Sequence, residues 1–330
     1  MKNDFAIVIG WPNTYCKQPG FWFDSLGGFL GVNRNGFYKV GHSAVVLVDV
    51  KNKKCEYFDF GRYHAPFKKG RVRNQDTDPL LKIKTIPIFS SDQEKLLNVE
   101  QILEELQMNE EIHAEGKIIS SYLKISFNLA YNECKKLQIL GVIDYGLFNS
   151  SKYNCAKFVH QVVLAGKPKW INRFKLSCFV PLIPSTKSNV FVLKYKKSLP
   201  HKRLGELFYP RKKVSNRFLK NVLKEPPRSN SVNKNAQWLG GEGVGGWFGL
   251  EVLNQQYRVS RWTDSGLLVS EAEYEVVGDS EFFYGKKYTI GYPSNSQVVT
   301  FLQNGKSFRF EIKKFKTYTY LYMQVISVNN

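Results

Sequence analysis

The chain is predicted to fold as an α+β domain, an antiparallel sheet with helices, followed by a small all-β barrel or sandwich. Strand-like and helix-like apolar patterns are mixed over residues 1–195. Residues 196–235 carry many lysines and arginines and only two glutamates, and short strands with turn signals fill residues 236–330. Because 330 residues are long for a single core, we expect two domains joined by a basic linker.

The first element is predicted to be a buried strand, because residues 5–9 form a short apolar run. Gly10 and Pro12 end this run, and a loop rich in aromatic rings follows. These rings either line a cleft or pack within the domain. Trp11 is therefore a candidate for contacting a substrate.

A hairpin is predicted next, because residues 38–50 and 55–63 are β-rich and bracket a polar tip of lysines and an asparagine. Its register is left open. If Lys51 pairs with Lys54, His42 lies opposite Tyr63. If the loop is one residue longer, His42 lies opposite His64 instead. The register matters because the second strand is expected to supply the residue that orients His42.

Helices are predicted for residues 92–109 and 115–140, where apolar side chains recur at helical intervals. A further helix, residues 154–165, is expected to start beside Asn154, which is a good capping residue. Residues 190–195 are predicted to return to a strand.

The C-terminal domain is predicted to contain six or seven antiparallel strands, which indicates a barrel or sandwich. The predicted strands are residues 247–253, 257–262, 267–277, 288–290, 298–303, 307–312 and 317–326. The Asn304-Gly305 pair is a strong signal for a two-residue hairpin turn. The glycine-rich segment 239–246 lacks the lysine of a phosphate loop and is interpreted as a flexible entry to this domain.

Two residues suggest catalysis by a thiol. Cys155 begins the helical pattern, where the unpaired N–H groups and the positive end of the helix dipole favour thiolate over thiol and lower the pKa of a cysteine. His42 begins a strand, and an imidazole held there could take the proton and return it to a leaving group. The alternative is that Cys155 belongs to the apolar stripe of its helix, because Phe158, Val159 and Val162 follow it at helical spacing.

The order of these motifs, a strand histidine first and an Asn-Cys helix start later, resembles the circularly permuted NlpC-type papain-like hydrolases and the lecithin:retinol acyltransferase group. The resemblance covers about residues 1–190 and implies a permuted papain-like fold. It implies an amidase, peptidase or acyltransferase in which Cys155 attacks the carbonyl and His42 is base and then acid. By the same resemblance, a peptide of the bacterial cell wall is the first candidate substrate.

The third member of the site is either Asp59 or His64. A carboxylate such as Asp59 would fix the imidazole tautomer and stabilise the imidazolium, whereas a second histidine is what the acyltransferase-like group implies, although 22 positions separate His64 from His42. The candidates for binding substrate, besides Trp11, are Arg62, Tyr63 and Tyr153, with Arg71 and Arg73 as further candidates for an anionic group.

The net charge of +20 favours polyanionic partners, which include anionic lipid, nucleic acid and an acidic cell envelope. Because no recognised nucleic-acid signature accompanies the basic segment, nucleic acid is not favoured. The alternative to an enzyme is a non-catalytic protein whose basic linker and β domain bind a polyanion or a protein partner.

No metal or cofactor is expected, because five cysteines without paired C-x-x-C spacing favour neither a zinc site nor a disulfide framework. No signal-peptide pattern or membrane-spanning apolar run is found. The protein is therefore expected to be cytoplasmic, or exported without a classical signal peptide.

Overall fold

The computed structural model describes most of the chain. The described residues are 3–17, 33–34, 37–39, 41–114, 116–146, 152–181, 184–193, 195–199, 225–241, 244–278 and 281–314. Residues 200–224 of the predicted linker and the predicted strand 317–326 lie outside them. The chain divides into two compact units, Met1–Lys224 with Gly240–Val244, and Glu225–Leu239 with Gly245–Asn330.

The first unit is built on an antiparallel sheet, which has seven strands among the described residues. In chain order the strands of this unit are β1 (Asp4–Trp11), β2 (Tyr15–Lys17), β3 (Asn33–Arg34), β4 (Phe37–Lys39), β5 (His42–Asp49), β6 (Lys54–Gly61), β7 (Lys69–Arg73), β8 (Ile118–Ile125), β9 (Ile143–Asp144) and β10 (Tyr195–Leu199). The large sheet has the order β10-β8-β1-β5-β6-β7-β9, and β2, β4 and β3 form a small sheet of their own. The α+β class is confirmed.

Helices cover both faces of the large sheet. They are α1 (Val99–Met108), α2 (Phe127–Ile139), α3 (Cys155–Ala165), α4 (Trp170–Phe179) and α5 (Ser188–Phe191). The α1 face carries Ala44, Val46 and Tyr57, which share a core with the apolar residues of α1. The α3 face carries Val45 and Phe58, which share a second core with α2, α3, α4 and α5.

The predicted helix 115–140 is wrong in its first half, which forms the central strand β8. Ile118 and Tyr122 contribute to the core on the α1 face, and Ile119 and Leu123 contribute to the core on the α3 face. A strand that is covered on both faces is apolar on both, so it lacks the two-residue alternation that marks a half-buried strand. The second half of the segment is α2, as expected.

Two other boundaries were predicted incorrectly. The helix expected from residue 92 begins at Val99, because the Asn98 side chain accepts a hydrogen bond from Ile88 N and donates one to Ile86 O, which holds the preceding chain as a loop. The strand expected over 190–195 starts only at Tyr195, and α5 precedes it. By contrast, the helix predicted over 154–165 is confirmed as α3.

The hairpin of β5 and β6 is confirmed, but both predicted registers are wrong. Asp49 pairs with Lys54 and Ala44 with Asp59, so the continued register points His42 toward Gly61 rather than toward Tyr63 or His64. The wider turn is held by Asp49, whose carboxylate accepts hydrogen bonds from the backbone N and the side-chain amide of Asn52 at 3.0 and 2.7 Å.

The second unit is the predicted all-β domain. Its strands are β11 (Gln237–Leu239), β12 (Gly246–Leu253), β13 (Gln256–Trp262), β14 (Leu268–Val277), β15 (Thr289–Gly291), β16 (Val298–Gln303) and β17 (Lys306–Lys314), in the antiparallel order β11-β12-β13-β14-β17-β16-β15. The Gln237 side chain bonds Tyr288 O and Ile290 N, so the edge strand β11 meets β15 and nearly closes a barrel. The Asn304-Gly305 turn is confirmed, since both residues have positive φ and Gln303 pairs with Lys306.

A buried carboxyl on β6 makes stability depend on pH. Glu56 Oε1 accepts a hydrogen bond from Gln75 at 2.8 Å, while Oε2 is buried with no hydrogen-bond partner among the described residues. Burial, together with the charge of Asp76, raises the pKa of Glu56 to about 7. Because the native pKa exceeds the unfolded one, the native state is penalised as pH rises from about 4.5 to 7.

We therefore expect Glu56→Gln to raise the free energy of unfolding at pH 8 by about 1–3 kcal/mol and to change it little at pH 4. Urea unfolding at the two pH values measures this difference. Glu100→Gln removes an exposed carboxylate and serves as the control, for which we expect the same small effect at both pH values. Equal effects of Glu56→Gln at both pH values would contradict the prediction.

Candidate active site

Cys155 is the first residue of α3, as the sequence predicts. Asn154 caps the helix: its backbone is extended, and its side-chain oxygen accepts a hydrogen bond from Lys157 N at 2.8 Å. The apolar residues Phe158 and Val159 belong to the core on the α3 face. Cys155 itself is buried but retains 8% of its surface, and it lies in the turn whose backbone N–H groups have no partners within the helix.

His42 is the first residue of β5, directly opposite Trp11 of β1. Its ring stacks on Trp11 with centroids 5.8 Å apart and meets the edge of Tyr63 at 6.2 Å. His42 Nε2 lies 3.1 Å from Asp59 Oδ2. Because an ionised carboxylate only accepts hydrogen bonds, Nε2 carries the proton, and Nδ1 of the neutral ring keeps its lone pair.

Asp59 is fully buried and is surrounded by donors. Arg73 donates to its two oxygens at 3.0 and 2.7 Å, and the hydroxyl of Tyr57 donates to Oδ2 at 3.0 Å. Burial alone raises the pKa of a carboxyl, but the charge of Arg73 and the hydrogen bonds from His42 and Arg73 outweigh it and hold the pKa of Asp59 well below its usual range. Asp59 is thus an ionised group at neutral pH that binds the imidazole at a defined atom.

His64, the other candidate for the third position, lies beside Arg71. Its Nδ1 is 3.2 Å from Arg71 Nη2, and its backbone has a positive φ of 44°. Arg71 in turn binds Asp78 through two hydrogen bonds of 2.7 Å. The structure therefore brings Asp59 to His42 and places His64 beside Arg71 and its partner Asp78.

The two arginines of β7 are corrections to the sequence analysis. Arg71 and Arg73 were candidates for binding an anionic substrate, but both are buried and bind carboxylates of the protein. The guanidinium of Arg73 also covers the ring of Tyr63 at 3.5 Å. Sequence reasoning missed the role of Arg73, although its alternation with Arg71 along a strand was a visible signal that both side chains share one face.

The four predicted substrate-binding residues fall into two groups. Trp11 and Tyr63 are buried around His42. Arg62 is buried, with its guanidinium 4.8 Å from the centre of the Tyr145 ring, and the half-buried Tyr153 donates its hydroxyl hydrogen to Gln161 at 2.8 Å.

His42 and α3 lie at the same end of the sheet. The Phe60 ring, on the α3 face, contacts Tyr153 and Phe158, which flank Cys155 in sequence. On the same side, Asn189 donates to Ala156 O at 2.8 Å. Thr186, which precedes Asn189 closely in sequence, lies against Gly41. A Cβ atom added to Gly41 would be 2.8 Å from the hydroxyl oxygen of Thr186. The helix start therefore lies over the beginning of β5, while the rings of His42 and Trp11 belong to the α1 face.

Among the described residues, no group of three or more acidic, histidine or cysteine side chains is placed to hold a metal ion. Over the same part of the chain, no helix is long and apolar enough to cross a membrane.

Parts of this chain match two protein-family models and a solved structure. A search of curated proteins finds no match. The crystal structure of the type VI secretion system effector TseH is similar over 50% of this chain and 76% of that chain, with 20% identity and a TM-score of 0.34. The model of the DUF6695 C-terminal domain matches residues 236–313.

The family model described as "Type VI secretion system effector TseH-like" matches residues 6–170. This span is half of the chain and contains the helix start at Cys155, the strand start at His42 and the buried pair of Asp59 and Arg73. The chain therefore belongs to the TseH-like family of type VI secretion system effectors.

Proposed function

We propose that this effector is a cysteine hydrolase that cleaves an amide bond, with Cys155 as nucleophile, His42 as base and acid, and Asp59 as the group that orients His42. The observation that carries the proposal is the hydrogen bond from His42 Nε2 to Asp59, which leaves Nδ1 as the basic atom of the ring at the end of the sheet where α3 starts. Because the ring of His42 lies on the α1 face and α3 on the other face, the proposal requires the Cys155 sulfur to reach Nδ1 around the end of β5. Membership of an effector family supports an enzyme that acts outside the cell that makes it.

The proposed reaction has two halves. His42 Nδ1 takes the proton of the Cys155 thiol, the sulfur attacks the carbonyl carbon, and the proton passes to the leaving amine as the C–N bond breaks. Water then attacks the thioester, with His42 again taking a proton, and releases the carboxylic acid and the thiol. In the proposed reaction the backbone N–H of Cys155 stabilises the oxyanion in both halves.

The proposed substrate is a peptide or isopeptide amide, and the stem peptide of the bacterial cell wall is the first candidate. The support for this substrate is the resemblance of the His42 and Cys155 motifs to NlpC-type hydrolases. Export by a type VI system would bring the chain to that substrate. Transfer of an acyl group to another acceptor uses the same thioester and differs only in the group that attacks it.

The test of the site is the alkylation rate of each cysteine near pH 7, measured by peptide mapping. Burial raises the pKa of Cys55 to about 12 and that of Cys134 well above its usual value, so these two buried thiols are internal controls. We expect iodoacetamide to modify Cys155 at least about tenfold faster than either of them. His42→Ala should remove most of this advantage.

Equal inertness of the three buried thiols would contradict the proposal and would favour the non-catalytic alternative, a protein that binds a polyanion or a protein partner. Cys178 is exposed and is expected to react in every variant, which reports that the reagent is active.

A further inference from the structure

Helix α4 exposes an unusual number of large apolar side chains. The exposed fractions are 76% for Trp170, 49% for Ile171, 55% for Phe174 and 64% for Phe179. Leu176 is the buried apolar residue that ties this helix to the core on the α3 face. Isolated exposed apolar residues are common on proteins, but a cluster of them on one helix indicates an interaction surface.

Three of the four exposed apolar residues form one stripe together with Cys178. At about 100° per residue, Trp170, Phe174, Cys178 and Ile171 fall within an arc of about 100°, on the side of the helix away from Leu176. The ring of Phe174 also packs edge-on against that of Phe179, with centroids 6.0 Å apart. The helix thus has a narrow buried side and a broad aromatic side that faces solvent.

The charges around this stripe have one sign. Residues 167–187 contain no aspartate or glutamate. Arg173 and Lys175 lie in α4, and Lys167 and Lys169 precede it closely in sequence. Arg173 and Lys175 fall on opposite flanks of the apolar arc, where their ammonium and guanidinium groups can stay in water. An aromatic stripe flanked by basic residues on both sides is typical of helices that lie in a membrane interface.

We propose that α4 docks on the surface of an anionic lipid bilayer, with Trp170, Phe174 and Ile171 inserted at the level of the headgroups and the flanking basic residues against lipid phosphates. Charge complementarity selects this occupant, because the stripe has cations on both flanks and no acidic residue in the whole segment. The competing occupants of this surface are an acidic protein partner and a second copy of the chain. The proposal does not depend on the chemistry of Cys155.

The experiment is co-sedimentation of the full chain with vesicles of phosphatidylcholine alone and of phosphatidylcholine mixed with phosphatidylglycerol. We expect binding to the anionic vesicles, little binding to the neutral ones, and loss of binding as salt is raised. Each basic residue near an anionic surface strengthens binding about fivefold, so Arg173→Gln with Lys175→Gln should weaken it about 25-fold at low salt.

The paired substitution Trp170→Ser with Phe174→Ser should abolish binding. Ile139→Ser is the matched control, because Ile139 is 79% exposed at the end of α2 and lies on a different helix. Cys155→Ala should bind as the unaltered chain does. Trp170→Phe keeps an aromatic ring and should retain binding, but it should lose most of the blue shift in tryptophan fluorescence that vesicles cause.

Three results would overturn the proposal: no binding to anionic vesicles at low salt, equal binding to neutral vesicles, or binding that the Trp170 and Phe174 substitutions leave unchanged. Sedimentation velocity without lipid tests whether a second copy of this chain binds the stripe instead. A dimer that the same two substitutions dissociate, with no vesicle binding, would assign the stripe to self-association instead.

Discussion

Replacing Cys155 by alanine is expected to lower the rate of stem-peptide cleavage in purified cell-wall sacculi by at least about 10⁴-fold, because no other group can form the thioester. The readout is mass spectrometry of the released fragments, in which each cleavage exposes one new amine and one new carboxylate. His42→Ala should lose activity to a similar extent, since the nucleophile and its base act as a unit.

The matched control is Cys178→Ala, which removes an exposed thiol from α4 and should leave cleavage unchanged. Cleavage by Cys155→Ala at the unaltered rate would rule out the thiol mechanism. If the unaltered chain cleaves no sacculi while Cys155 is alkylated rapidly in a His42-dependent manner, the mechanism stands and the proposed substrate is wrong.

Asp59→Asn is expected to lower the free energy of unfolding at pH 7 by about 3–5 kcal/mol, because it leaves Arg73 buried without its carboxylate partner. The native pKa of Asp59 lies below its unfolded value, so its contribution to stability is present above about pH 4 and is lost as pH falls toward the native pKa. Urea unfolding at pH 7 and at acidic pH should therefore show the difference between the two chains shrinking as pH falls.

Asp144→Asn is the control for this prediction. Asp144 also binds a cation, Lys69 at 2.9 Å, but its side chain is 54% exposed, so we expect its loss to cost less than about 1 kcal/mol. Equal effects of the two substitutions would show that the buried pair contributes no more than a surface pair.

The same substitution tests the role of Asp59 in catalysis. An asparagine side chain can donate a hydrogen bond to Nε2 of His42, which would move the ring proton to Nδ1, the atom proposed to act as base. We expect the rate of cleavage to fall much further than the fraction of unfolded protein at pH 7 can explain.

The sequence by itself determined the elements that local patterns specify. The apolar stripe after Asn154 predicted α3 because capping and helical spacing agree there. The Asn304-Gly305 turn predicted its hairpin because few residue pairs accept two positive φ angles. The same local reasoning marked Cys155 and His42, since each begins its element.

Tertiary structure alone decided which side chains meet. The turn held by Asp49 sets the register of β5 and β6, and with it the choice of Asp59 over His64 as the partner of His42. Arg73 was a candidate for binding substrate, but it is buried and is the counterion of Asp59. Strand β8 escaped prediction because helices on both sides of a sheet remove the alternation that marks a strand. Pairing across distant segments depends on packing, which no local pattern encodes.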